Sequence, residues 1–296
     1  MTVVALTSLK GAPGSTTMAC LVGAGWPGGR SVLLCELDPS GGDLAARFGL
    51  SARCGWSSFS LAVRRNSPKA VTPLEPHLQR LRGGLEVLVG PVSAASGGGD
   101  AWFSPFGSLL ESAGGSRDLL VDLGRMPIEH RAIGGVLERV DALLVVVRGD
   151  APSALRAREH SAQLRARTDD RVGLVVIETG PYPANEIASF SGLTLVAAVP
   201  FDPGVASMAG GGDGRRRRLT RSRLFASSAL LAARLTAEPT EPTMVKDPPA
   251  PRWRFRRRSG RLSSEELHLP AAWEERSDPR VRCASLNTLA ASEVEG

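Results

Sequence analysis

Apolar residues gather along the first 200 positions into short runs of strand length: 2–9 (TVVALTSL), 31–37 (SVLLCEL), 85–90 (LEVLVG), 118–124 (DLLVDLG), 142–147 (ALLVVV), 171–178 (RVGLVVIE) and 193–199 (LTLVAAV). Most are continuous rather than alternating, which suits strands buried on both faces, as in a parallel sheet covered by helices. Between them the spacing predicts helices over 15–25, 101–112, 129–139 and 152–167, the last opened by Asp150 and Pro152 as start signals. This alternation predicts a doubly wound α/β domain with a mostly parallel sheet of approximately seven strands flanked by helices. A last helix over 220–235 carries Leu224, Ser228, Leu231 and Leu235 along one face and is expected to pack back on the sheet.

Past Thr236 the periodic pattern stops. Residues 238–296 are rich in Pro, Arg and Ser, so the organisation expected is a folded domain over 1–237 and a disordered tail over 238–296. The glycine-rich stretches 93–100 and 210–214 read as flexible surface segments.

With 42% apolar and 22% charged residues the chain has the composition of a soluble globular protein. No apolar run reaches the roughly 18–20 residues of a membrane span, and the first residues lack the basic and apolar regions of a signal peptide, so a cytoplasmic location is expected. Cys20, Cys35, Cys54 and Cys283 have no paired spacing and read as free thiols rather than zinc ligands or disulfides. The net charge of +6 is matched by one cluster, since 215–223 (RRRRLTRSR) holds six arginines and no acid, while 238–296 carries ten basic and ten acidic residues. Arg215 to Arg223 is therefore a candidate surface for DNA or anionic lipid, against the plainer reading of a solvated charged loop. The tail segment 251–258 (PRWRFRRR) interleaves Trp253 and Phe255 with arginines in a pattern suited to stacking on bases or resting at a membrane interface. The four histidines are scattered, and no G-x-S-x-G elbow is present.

The candidate chemistry lies after the first apolar run, where KGAPGSTT joins a strand to a helix. A glycine-rich turn at that place exposes backbone N–H groups which, with the positive end of the helix, can cradle phosphates. Lys10, Gly11, Gly14, Thr16 and Thr17 resemble the deviant Walker A motif of the MinD/ParA family of P-loop ATPases, with Ala12 at a usual glycine, Pro13 at the variable position and Ser15 where the P-loop lysine is expected. Residues 33–50 (LLCELDPSGGDLAARFGL) resemble the family's second-strand motif, with Asp38 at its second acidic position and Glu36 in place of its first aspartate. DLLVDLGR (118–125) resembles the Walker B strand and places Asp122 at its carboxylate; 141–159 resembles the strand and helix leading to the dimer face; AAVPFDP (197–203) resembles the late P-x-D loop near the base, bringing in Asp202. The family's base-side asparagine has no counterpart in IETG (177–180).

The resemblance, which spans about residues 1–236, implies a cofactor pair of ATP and Mg²⁺. Gly11, Ala12, Pro13, Gly14, Ser15, Thr16, Thr17 and Asp202 would line the nucleotide, Thr16 and Asp122 would hold the metal, and Asp38 and Lys10 would carry the catalytic roles, Lys10 across a nucleotide-bridged homodimer. Ser15 removes a charge-assisted bond of about 1.5–3 kcal/mol, or about one to two decades of affinity, so weak or absent hydrolysis is expected. Within the family the chain most resembles the divergent actinobacterial-type members of the TadZ/CpaE pilus-assembly branch. The expected function is accordingly a nucleotide-dependent positioning factor for a pilus or secretion machine, with a secretion ATPase as partner and a place at the membrane or nucleoid. The alternatives are an active partition ATPase binding DNA through Arg215–Arg223, or a nucleotide-free scaffold.

Overall fold

A computed structural model describes residues 1–10, 14–67, 70–92, 102–125, 133–212 and 216–237, all within the unit Met1–Pro249. The predicted tail 238–296, the segment 93–100, Arg215 and the turn residues Gly11, Ala12 and Pro13 lie outside the described residues. Seven strands follow the predicted runs: β1 (Val3–Ser8), β2 (Ser31–Glu36), β4 (Glu86–Leu88), β5 (Arg117–Arg125), β6 (Ala142–Arg148), β7 (Val172–Glu178) and β8 (Thr194–Pro200). An eighth, β3 (Gln79–Arg80), pairs antiparallel with β4, so the sheet has eight strands rather than the seven expected. Two polar residues carry no apolar signal; β3 exists because the turn through Gly83 and Gly84 lays it against β4, with Arg80 opposite Glu86.

The order β3-β4-β2-β5-β1-β6-β7-β8 is parallel apart from β3. From β1 the chain runs outward to β2 and later, through β5 and β6, to the other side, so the topological switch lies beside β1, where such sheets bind ligands at the carboxyl ends of their strands. Continuous burial of the central strands has a direct cause in the two core layers. Val3 and Ala5 of β1 face one layer and Val4 and Leu6 the other, so every position is covered by helices.

Helices α1 (Ser15–Ala24), α2 (Leu44–Phe48), α8 (Pro203–Ala209) and α10 (Arg223–Thr236) contribute to one layer; α3 (Trp56–Arg65), α4 (Phe106–Ala113), α5 (Gly134–Leu137), α6 (Ala151–Thr168) and α7 (Ala184–Ser191) contribute to the other. A short α9 (Arg216–Thr220) precedes α10. The predicted helix over 101–112 begins at Phe106, because Pro105 stands at its cap and the residues before it form a turn. Of 129–139 the described part is helical only over Gly134–Leu137. The last helix starts at Arg223 rather than 220, where the Ser222 hydroxyl accepts the Phe225 N–H (3.0 Å) and caps it. Leu224, Ser228 and Leu231 are buried on the face foreseen for them. No described helix is long and apolar enough to cross a membrane.

Candidate functional site

The site is assembled where β1, β2 and β5 end. The chain enters α1 through Gly14, whose φ of +102° is open to glycine at little cost. No side chain caps α1, and its first turn holds no acid. The first intrahelical bond described runs from the Met18 N–H to the Gly14 carbonyl (2.8 Å), which leaves the N–H groups of the first turn to an outside acceptor. The arrangement favours an anion. Ser15 is 6% exposed and turned into the protein, while Thr16 and Thr17 are half-buried beside it.

Asp122 faces this turn from the neighbouring strand β5 and is 0% exposed. Its Oδ1 accepts the Gly124 N–H (3.0 Å); its Oδ2 is buried without a partner of hydrogen-bond geometry. Burial pushes its carboxyl up to about 7, the Thr16 hydroxyl and the Gly124 N–H oppose the shift, and the Glu36 and Asp38 carboxylates add to it. The buried Asp122 carboxylate, with the Thr16 hydroxyl acting on it, stands by a helix start whose first N–H groups have no acceptor among the described residues, so the two offer complementary charge. Among the described residues no three His, Cys, Asp or Glu side chains gather closely enough to hold a metal by themselves. Mg²⁺ does not require that, since it keeps several waters and takes one or two carboxylates together with phosphate oxygens. The donors present therefore fit a hydrated Mg²⁺ joined to a phosphate chain.

Asp38, half-buried in the loop after β2, accepts the Ser40 N–H (2.7 Å) and the Arg125 N–H; burial raises its carboxyl and these bonds restrain it. It lies against Gly124, where a Cβ would stand 1.8 Å from its Oδ2. Gly124 thus joins Asp38 and Asp122, and the two acids singled out by position are brought to one place. Glu36 is different. It is 1% exposed, and its Oε1 accepts the N–H groups of Asp43 (2.6 Å) and Leu44 (2.9 Å) while Oε2 accepts that of Gly90 (2.9 Å). Burial raises its carboxyl and the three bonds pull it back. Position in the motif marks Glu36 as a substitute for an aspartate, but it is the cap of α2 and its tie to β4. The signal available for this was Gly41-Gly42-Asp43, because a Cβ on Gly42 would lie 2.2 Å from Glu36 Oε2.

Lys10 is exposed at the end of β1, and its charge reaches Asp150. Burial works against ionisation of Asp150, yet bonds from Ser153, whose N–H it accepts at 2.8 Å as the cap of α6, and the charges of Lys10 and Arg148 hold it below its ordinary value. Asp202, expected on the base side, spends its Oδ1 on capping α8 through the Val205 N–H (3.0 Å). Arg218, Arg221 and Arg223 of the basic cluster are exposed. Cys20 and Cys35 are buried free thiols and Cys54 is a half-buried one.

No protein-family model matches the chain, and no curated protein matches it either. Solved structures do. A ParA family ATPase from Chlorobium tepidum TLS matches with a TM-score of 0.64 and 20% identity over 78% of this chain and 98% of that one. The MinD cell division protein of Aquifex aeolicus matches with a TM-score of 0.61 and 19% identity over 81% and 99%. The septum site-determining protein MinD from Pyrococcus horikoshii OT3, complexed with Mg-ADP, matches with a TM-score of 0.60 and 16% identity over 79% and 96%. The chain therefore has the α/β fold of the P-loop NTPases, in the form that these ParA and MinD structures share.

Proposed function

We propose that this chain is a nucleotide-binding switch of the ParA and MinD type that takes Mg-ATP at the first turn of α1 and hydrolyses it slowly, acting as a partitioning or positioning factor. One observation carries the reading: the start of α1, which no side chain caps, and the buried Asp122 carboxylate are joined through Thr16, whose hydroxyl acts on Asp122, so N–H donors for an anion and a carboxylate for a cation meet at one helix turn. The N–H groups after Gly14 would hold phosphate oxygens, Thr16 and Asp122 would hold the metal through its water shell, and Asp38, fixed against Gly124, would orient a water near them. When bound, Mg²⁺ supplies neutralisation of the phosphate charge. Lys10, exposed and close enough for its charge to act on Asp150, would meet a second subunit. With Ser15 neutral and buried, the loop lacks the lysine that would follow charge onto the transferred group.

The named neighbours, a ParA ATPase and two MinD proteins, support partitioning or positioning better than the pilus-assembly role that the sequence resemblance brought in. The exposed arginines of α9 and α10 support a DNA-binding partition role on the same footing. Calorimetric titration of the full chain with Mg-ATP and Mg-ADP tests the proposal. Binding in the micromolar range, lost without Mg²⁺ and in Asp122→Ala, with turnover below about 1 per second, is the expected result. No binding heat at millimolar nucleotide overturns it.

A further inference from the structure

Residues 44–74 contain no Asp or Glu, yet they contain Arg47, Arg53, Arg64, Arg65 and Lys69. Helix α3 lies within this acid-free stretch. Its inner face is fixed by Trp56 and Phe59, both buried, and by Val63, which packs on the same core layer. Helical spacing then brings Ser57, Leu61, Arg64 and Arg65 together on the outer face, and all four are exposed. Asn66 ends the helix: its N–H donates to the Ala62 carbonyl (3.0 Å) and its side-chain amide to the hydroxyl of the buried Thr72 (2.9 Å). That bond keeps Val71, the neighbour of Thr72, close to the end of α3. Leu61 is 48% exposed and Val71 62%, the latter the largest exposure of any large apolar side chain among the described residues. Neither Arg64 nor Arg65 pairs with an acid among the described residues, and Glu75, just past the stretch, is taken by Arg117 (3.1 Å). Lys69 lies outside the described residues.

We propose that this end of α3 seats on an anionic lipid bilayer, with Leu61 and Val71 entering the interface and Arg64 and Arg65 on the lipid phosphates. Aliphatic side chains that stand out from a surface leave water only in a partner that closes around them, and a bilayer does so without a preformed pocket. Arginine one turn further along the helix can lay its apolar stem at the acyl boundary and keep its guanidinium among the headgroups. The missing acids matter as much as the arginines, because the negative surface potential that attracts a cation repels a carboxylate. A nucleic acid would use the arginines and leave the aliphatic groups idle, since its contacts go to phosphate and sugar and to bases stacked on aromatic rings. An acidic protein would have to offer a separate pocket for each protruding side chain. This surface is distinct from the arginines of α9 and α10, because α3 packs on one face of the sheet and α10 on the other. It uses no residue of the first turn of α1, so the inference stands or falls separately from nucleotide binding.

The test is co-sedimentation of the full chain with phosphatidylcholine vesicles, with and without a third of phosphatidylglycerol. The full chain should partition onto the anionic vesicles, and the variants Leu61→Ser/Val71→Ser and Arg64→Gln/Arg65→Gln should each lose about tenfold or more in that partitioning. Both alter exposed side chains, so both should keep the wild-type melting temperature and Mg-ATP titration. A chain that takes no nucleotide would leave the lipid result standing. Contact is read directly by an environment-sensitive dye on Leu61→Cys, in a Cys54→Ser/Cys283→Ser background. Its emission should move to the blue on anionic vesicles and stay unchanged on phosphatidylcholine alone. No partitioning of the wild type, wild-type partitioning of either variant, or unchanged emission on the anionic vesicles overturns the proposal. So does a DNA duplex or a polyglutamate chain that is bound with the same loss in both variants.

Discussion

Asp122 concentrates the electrostatics of the site and sets a pH dependence with a definite sign. Its carboxyl rises from 3.8 to about 7 on burial, so between those values the folded chain holds a proton that the unfolded chain has released. Stability of the unliganded protein should therefore be fullest below about pH 4 as far as this group is concerned and fall as pH rises through about 7. Mg-nucleotide selects the ionised form and reverses the trend. In thermal melts the unliganded chain is expected to melt higher at pH 5.5 than at pH 8, and Mg-ATP to raise the midpoint more at pH 8. Asp122→Asn, which keeps an acceptor for the Gly124 N–H, should shrink both differences, leaving only the share of the raised Glu36 and Asp38 carboxyls; a wild-type midpoint that climbs from pH 5.5 to pH 8 without nucleotide contradicts the assignment. Ser15 offers the complementary test. A lysine there can carry its ammonium outward along its stem, and Ser15→Lys should tighten Mg-ATP by about one to two decades, the worth of a charge-assisted bond of about 1.5–3 kcal/mol. Weaker binding by calorimetry would remove Ser15 from the phosphate loop.

Helix α2 shows how one side chain can hold an element that could not hold itself. Five residues are far too few for an isolated helix, and Asp43 at its start makes no side-chain cap. Glu36 supplies the acceptors instead, and by taking the Gly90 N–H as well it joins the loop that carries Asp38 to the end of β4. Glu36→Ala leaves three N–H groups without an acceptor, each costing about 1–3 kcal/mol when buried, so a loss of about 3 kcal/mol or more is expected in urea denaturation. Gly42→Ala forces a methyl group into that carboxylate and should cost about 1–3 kcal/mol. The two share one contact, so the double variant should lose less than the sum of the single losses. Strict additivity would mean that Glu36 does not hold the loop.

On the reading proposed above, assembly would turn on Lys10. Two nucleotides brought together between subunits place like charges close, and a cation must stand between them. With Ser15 neutral, Lys10 is the lysine at the end of β1 that would do so, and in the single subunit its charge acts on Asp150. Sedimentation velocity should show a dimer with Mg-ATP and a folded monomer for Lys10→Ala; a variant that dimerises as well as the wild type removes Lys10 from the interface. Among the described residues, the eight strands and the helices packed on them lie before residue 237. A chain ended there is expected to melt with the full-length chain in calorimetry, and a midpoint several degrees lower would assign 238–296 a structural part.

What could be read along the chain was what each segment owes to its own composition. The continuous runs at β1, β5, β6 and β7 are legible because a strand buried on two faces has no polar side to show. Helix α6 is legible because Asp150 and Pro152 mark its start, and the start of α1 because Gly14 and the residues that follow it are adjacent in the chain. The amphipathic α3, with Trp56 and Phe59 buried, and the two-residue β3 escaped, since their state follows from what they pack against or pair with. The same division runs through the site. Asp38 and Asp122 stand out as acids at strand ends, but the burial that lifts Asp122 and the packing of Asp38 on Gly124 join residues 84 or more positions apart. Glu36 becomes a clamp only because folding brings Gly90 to a residue 54 positions earlier. Local pattern chose the elements and the residue types; desolvation and contacts between distant segments, which exist only once the sheet has closed, decided their roles.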